Sequence, residues 1–204
     1  MYDADLAADR LQASRVPDSQ ILVALTSTVY NFDVQLSDVD RGVYESLAIR
    51  AARHPSETEE YLVTRVLAYC LEYREGIAFG KGLSEPDEPA VVVRDLTGTI
   101  TAWIEVGAPD AARLHKASKS SPRVAVYTYR DPVQLVRQLD GERIHRAESV
   151  EIHGIDRALI DALVARLDRR TALDLAVTDR HLYVTIGGET LDGEVRREPL
   201  ERVA

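Results

Sequence analysis

Residues from Leu22 to Leu36 are β-rich, and the turn DVDRG (38–42) leads into VYESLAIRAA, where Glu45, Leu47 and Ile49 share one face, so the pattern predicts a hairpin. The period changes in HPSETEEYLVTRVLAYCLEYREG. Leu62, Val63, Val66, Leu67 and Cys70 recur at helical spacing, and Ser56 and Glu59 have the Ser-x-x-Glu spacing of a capping box, which predicts a helix over about 57–74. DEPAVVVRDLTGTITAWIEVG (87–107) then reads as two strands, 90–95 and 99–106, around a tight turn. Pro109 and Asp110 open a helix to about Lys119, followed by a strand at 123–129, a helix at 132–139, a strand near 148–152 and a helix from Asp156 to about Asp168. LDLAVTD and HLYVTI form a last pair of strands across a turn at Asp179–Arg180. Strands and helices interleave after residue 107, which predicts a mixed α/β sheet flanked by helices, with at least one parallel crossover. On this pattern residues 1–23 are an N-terminal extension, 24–186 a single domain, and the charged stretch 187–204 a polar C-terminal tail.

The central hairpin carries an anomaly. A two-residue loop at Thr97–Gly98 sets Val92 opposite Trp103 and Ala90 opposite Glu105, and both faces of the hairpin are apolar, as at the centre of a sheet. A carboxylate at the end of such a strand needs a cation, a metal ion or solvent, because burying an unpaired charge is expensive.

Composition narrows the function classes. The chain has 204 residues, 45% of them apolar, which is enough for one real core. Its net charge of -9 excludes a uniformly basic nucleic-acid surface and leaves room only for a local basic groove. The lone cysteine, Cys70, sits in an apolar run without a basic neighbour to activate it, so it reads as a core residue. No apolar run is long enough to span a bilayer and residues 1–20 are too acidic for a signal peptide, so a cytoplasmic protein without membrane contact is expected. The five histidines lack zinc-ligand spacing, and neither a phosphate loop nor a Gly-x-Ser-x-Gly elbow is present.

YNFDVQLSDVDRGVYESLAIRAARHPSETEEYLVTRVLAYCLEY, GLSEPDEP, DLTGTITAWIEVGAPDAARLHKAS and VAVYTY together resemble the YaeQ family over about residues 24–186, most specifically in ARHPSET, the DEP at 87–89 and W-I-E-x-G-x-P-D. The resemblance implies a variant of the restriction-endonuclease-like PD-(D/E)xK nuclease fold, here with an N-terminal and a C-terminal hairpin added. In such a site an Asp at the start of one strand and a Glu on its neighbour hold Mg²⁺. A Lys two residues beyond the Glu falls on the same face and orients water.

Laid on this chain, the scheme keeps Glu105 but has Ala90 where the family commonly has Asp, and Gly107 where the lysine would stand. Asp87 is a nearby replacement ligand, and Lys116 or, one turn on, Lys119 a replacement cation. On the first helix Glu60 ranks first as a further ligand because it flanks the apolar stripe, and Glu57 second because a helix N-terminus already accounts for an acidic residue there. The implied enzyme is a Mg²⁺- or Mn²⁺-dependent phosphodiesterase with Glu60, Glu105 and Lys116 in the catalytic set and Glu105, Glu60 and Asp87 around the metal. The rival readings are a nuclease-like module that binds a nucleic acid or a protein partner without cleavage, and a scaffold whose acidic cluster pairs with Lys116 and Arg113.

Overall fold

A computed structural model describes residues 27–80 and 88–200. Its frame is one ten-stranded mixed sheet. The N-terminal hairpin is β1 (Thr28–Asp38) and β2 (Val43–Arg53), paired antiparallel with Phe32 opposite Ile49 and Val34 opposite Leu47. Helix α1 (Glu59–Leu71) follows, then β3 (Ile77–Phe79), β4 (Val91–Arg94) and β5 (Ile100–Val106), α2 (Ala111–Ser120), β6 (Val124–Thr128), α3 (Pro132–Leu139), β7 (Val150–Ile155) and α4 (Arg157–Val164). Strands β8 (Arg170–Thr178), β9 (His181–Ile186) and β10 (Glu189–Pro199) complete the sheet, in the order β2-β1-β8-β9-β10-β7-β6-β5-β4-β3.

Strands β5, β6 and β7 are mutually parallel, joined by the crossovers α2 and α3, and β1 runs parallel to β8. One core lies under α1 and α4, where Phe32, Val34, Leu62, Val66, Ile104, Leu159 and Leu175 meet. A second lies on the opposite face under α2 and α3, built from Trp103, Leu114, Val126, Leu135 and Ile152. Strands β1 and β8 bury only alternate residues, whereas β6 is buried throughout, because helices cover both faces only over the parallel half.

Three expectations need correction. Residues 189–199 are not a tail but β10, whose first half pairs with β9 and whose second half pairs with β7, so this strand joins the two halves of the sheet. Its polar composition concealed it: Glu194 and Arg196 face solvent while Val195 is buried, and one face of a strand is sufficient to hold it in a sheet. The capping box does not form. Thr58 is the N-cap and its hydroxyl accepts the Tyr61 N–H at 3.2 Å, while the Ser56 hydroxyl lies 2.6 Å from His54 Nδ1. The hairpin loop is also longer than two residues, since Val92 does face Trp103 but the register shifts after Val93 and Arg94 faces Ile100. Asp95 accounts for the shift, because its carboxylate gathers the Thr97 and Thr99 N–H groups at 2.8 and 3.0 Å into a wider turn.

Cys70 is fully buried, and desolvation pushes its thiol up to about 12, so it packs and does not react. Among the described residues no helix is long and apolar enough to cross a membrane.

Candidate functional site

The carboxyl ends of β5 and β6 open into a cleft of about 470 Å³. Ser56 and Thr58 at the start of α1, Asp110 and Arg113 at the start of α2, the loop from Gly107 to Pro109, and Tyr129 and Arg130 after β6 line it. Two helix N-termini therefore converge on the cleft, and each favours negative charge there. Asp110 caps α2 by accepting the Arg113 N–H at 2.8 Å, which places Arg113 in the first helical turn beside β5.

Glu105 lies on the floor, 1% exposed. Ile104 and Val106 belong to the core under α1 and Trp103 to the core under α2, so strand alternation points Glu105 to the α2 side. There it accepts the Trp103 Nε1–H at 2.5 Å, and Arg113 Nε lies 2.8 Å from the same oxygen, Oε1. Arg113 Nη2 also donates to the carbonyl of Glu88 at 2.7 Å, which ties the segment before β4 to α2. Burial raises the Glu105 carboxyl above its ordinary value, and Trp103 and Arg113 pull it back without cancelling the rise.

The other expected residues are distributed around this centre. Glu60 is partly exposed on α1 and pairs with Arg157 of α4 at 3.4 Å; it does not line the cleft. Its carboxyl is held below the ordinary value by its own backbone N–H and by Thr58, the stabilisation expected at a helix start. Glu57 is buried and does not line the cleft. Its Oε1 meets Arg65 Nη1 at 3.3 Å and its Oε2 accepts the His54 N–H at 3.3 Å, so it fastens the start of α1 to the end of β2. Lys116 and Lys119 are exposed on α2 and do not line the cleft, where Arg113 supplies the positive charge from the same helix. Asp87 lies outside the described residues.

Among the described residues no group of three or more His, Cys, Asp or Glu side chains is placed to hold a metal ion. The donor that a divalent ion would need first, Glu105, already faces a guanidinium and an indole N–H. The described residues thus do not by themselves fit a metal centre. At Gly107, where the expected scheme would have a lysine, φ is +88°, a conformation that disfavours every residue with a Cβ.

Sequence reasoning named Arg113 only as an ion-pair partner and missed Arg130. The one available signal was the spacing of Asp110 and Arg113, which places the arginine in the first turn of a capped helix.

Fold and cleft together define a mixed α/β protein with a polar site at the ends of parallel strands. The chain belongs to the YaeQ family, whose sequence model, described as YaeQ protein, matches residues 23–195. It is 30% identical to the YaeQ protein of Escherichia coli strain K12 over 164 residues, covering 80% of this chain and 91% of that protein. The YaeQ protein of Salmonella typhi is 30% identical over 171 residues, covering 83% of this chain and 94% of its own. Among solved structures, the YaeQ protein from Pseudomonas syringae superposes with a TM-score of 0.76 at 34% identity, covering 84% of this chain and 95% of that one. The YaeQ protein from Xanthomonas axonopodis pv. citri gives 0.77 at 31% identity, covering 85% of this chain and 100% of that one.

Proposed function

We propose that this chain is a nuclease-like domain on a variant PD-(D/E)xK core, and that its cleft holds a phosphate of a nucleic acid without cutting it. The order α1, β3, β4, β5, α2, β6 supports the core assignment, since it sets a carboxylate at the end of the central hairpin beside a helix start. The observation that carries the binding reading is the Glu105–Arg113 pair: a guanidinium fills the position beside the carboxylate where a catalytic ion would have to sit. Arg130, exposed on the rim, and the starts of α1 and α2 then offer positive potential to a phosphodiester. With a net charge of -9, contact is restricted to local basic clefts such as this one, because the surface as a whole repels a polyanion.

The rival reading, a Mg²⁺- or Mn²⁺-dependent phosphodiesterase, is favoured by the same element order and by the retention of Glu105. One set of assays separates the two. Labelled single- and double-stranded DNA and RNA are titrated with protein between about 50 and 200 mM salt, the range over which phosphate contacts weaken measurably. Parallel samples contain Mg²⁺ or Mn²⁺ and are scored for cleavage. Salt-sensitive binding that weakens several-fold in Arg130→Glu, with intact substrate throughout, is the expected result. Metal-dependent cleavage abolished by Glu105→Ala would replace the binding reading with the enzyme. Absence of binding at the lowest salt would remove nucleic acid as the ligand and leave a protein partner as the alternative.

A further inference from the structure

A second cleft, of about 290 Å³, lies at the opposite end of α1. With 13 residues at 1.5 Å rise, α1 separates the two sites by about 20 Å. The floor of this second cleft is a network of groups buried under the sheet end. Glu72 accepts Arg123 Nη1 at 2.7 Å, Arg123 Nη2 at 2.9 Å, the Tyr127 hydroxyl at 2.9 Å and Arg74 Nη2 at 3.1 Å. Glu151 accepts Arg123 Nη2 at 2.8 Å and lies 3.2 Å from His153 Nε2. Arg180 Nη2 lies 3.2 Å from His153 Nδ1, and because a guanidinium only donates, Nδ1 is the acceptor and Nε2 carries the proton toward Glu151. The His153 ring stacks on Tyr127 with centroids 4.8 Å apart.

Counting donors against acceptors shows what the cleft lacks. Five arginines line it (41, 74, 123, 180 and 197) against four carboxylates (Asp38, Asp40, Glu72 and Glu151). Every carboxylate is consumed. Asp38 pairs with Arg41 at 2.6 Å, Asp40 accepts the Asp179 and Arg180 backbone N–H groups at 2.7 and 2.8 Å, and Glu72 and Glu151 are paired as described. The guanidinium donors are not consumed. Among the described residues Arg74 Nη1, Arg180 Nη1 and the whole Arg197 guanidinium have no acceptor, and these three arginines are exposed on the rim. They come from three separate elements: the end of α1, the β8–β9 turn and β10.

The presentation of Arg180 is itself constrained. Asp179 and Arg180 both have positive φ, +52° and +61°, although neither is glycine, and the Asp40 carboxylate grips both of their N–H groups. Both are the central residues of the two-residue β8–β9 loop, a hairpin turn that takes positive φ at both positions, and the Asp40 grip fixes it in place. The negative end of α1, which would repel an anion, is covered because Arg41 donates to the carbonyls of Cys70 and Tyr73 at 3.0 and 3.2 Å.

A floor of paired carboxylates under a rim of solvent-facing guanidinium donors suits an oxyanion that can take several donors at once. We propose that this second cleft binds the phosphate group of a small phosphomonoester, held by Arg74, Arg180 and Arg197. Three guanidinium groups lining one cleft offer several donors to the tetrahedral oxygens of a phosphate, whereas a monocarboxylate engages one fork.

The test follows the arginine Nε–H signals by NMR while inorganic phosphate is added, with acetate and sodium chloride at matched ionic strength as the other arms. Saturable shifts of Arg74 and Arg180 with phosphate alone are expected, weakened at least tenfold in Arg74→Ala and Arg197→Ala and unchanged in Arg130→Ala, which belongs to the first cleft. Both weakened variants replace exposed side chains, and a matching circular dichroism melt shows that they fold. Shifts that follow ionic strength alone overturn the proposal, as does phosphate binding that survives both substitutions or is lost in Arg130→Ala. Equal competition by acetate would reassign the cleft to carboxylates and overturn its specificity for phosphate.

Discussion

Arg113 Nε stands 2.8 Å from Glu105 Oε1, so the buried carboxylate of the central hairpin has its counterion on the helix that immediately follows it. The pair links the only ionisable group in the interior of β5 to the first turn of α2, and both the stability and the chemistry of the cleft depend on it.

Arg113→Ala leaves Glu105 with the Trp103 N–H but no cation. Removing one partner of a buried pair typically costs 3–5 kcal/mol. Arg113 is about a quarter exposed, and about 2 kcal/mol is expected here, read as a lower midpoint in urea denaturation. The sign of the pH dependence is fixed by Glu105, whose folded pKa already lies above its unfolded value. Stability from such a group is present below the unfolded value and lost as pH rises through the folded one. The deficit of the variant is therefore largest at neutral pH and shrinks on acidification, and a deficit that does not depend on pH would show that Glu105 is not the group left unpaired.

Gly107→Lys introduces the residue that the proposed PD-(D/E)xK scheme would place there. The added Cβ meets Tyr61 Cδ2 at 3.8 Å, an ordinary contact, so the cost is the left-handed backbone at φ +88° and not a clash. A loss of about 1–2 kcal/mol is expected in chemical denaturation. The smaller Gly107→Ala should lose nearly as much, because the backbone, not the side-chain length, sets the cost.

His153 is nearly buried, and burial together with Arg180 lowers its pKa while Glu151 acts in the opposite direction. Tyr127 and Glu72 face the same network. A folded pKa below the unfolded value means that the unfolded chain takes up the proton first. Stability should therefore be complete above about pH 6.5, the ordinary value for histidine, and fall as pH drops from there toward the folded value. His153→Gln should flatten that part of the profile in thermal melts recorded from pH 7.5 down to pH 5.

Gly193 sits where β10 passes under α4. A Cβ there would lie 2.9 Å from Leu159 Cβ and 3.0 Å from Asp156 Cβ, closer than such atoms approach. Gly193→Ala must push the start of α4 away from the sheet, against the hydrogen bond from the Asp156 N–H to the Glu194 carbonyl at 3.0 Å. A cost of about 1–3 kcal/mol is expected for this overpacking. Hydrogen exchange should show the loss concentrated in α4, and a uniform change over the sheet would argue against the contact as its cause.

Local pattern determined much of this protein. The helical recurrence of Leu62, Val66 and Cys70 placed α1, Pro109 and Asp110 placed the start of α2, and the apolar run around Trp103 identified β5 as a strand buried on both faces. The turn at Asp179–Arg180 was legible for the same reason, since a two-residue hairpin loop follows from the strands on either side of it. Glu105 stood out by its chemistry alone, as a carboxylate in an apolar strand.

Tertiary structure decided what pattern could not. Strand β10 reads as a charged tail because its inward face carries only Leu191, Gly193 and Val195, too little apolar bulk for the alternation to show; its place is set by β7 and β9, which lie far away or across a turn. Glu60 had the right helical phase to approach the sheet, yet α4 brings Arg157 to it, and α4 begins almost a hundred residues later. The counterion of Glu105 depended on the angle at which α2 leaves β5. The second cleft was invisible in the chain because Asp40, Glu72, Arg123, Glu151 and Arg180 share no motif and meet only when the end of β1, the starts of β6 and β7 and the β8–β9 turn are assembled in one sheet with the end of α1 packed on it. Periodicity records which face of an element is buried, whereas a charge takes its role from whatever distant element packs against it.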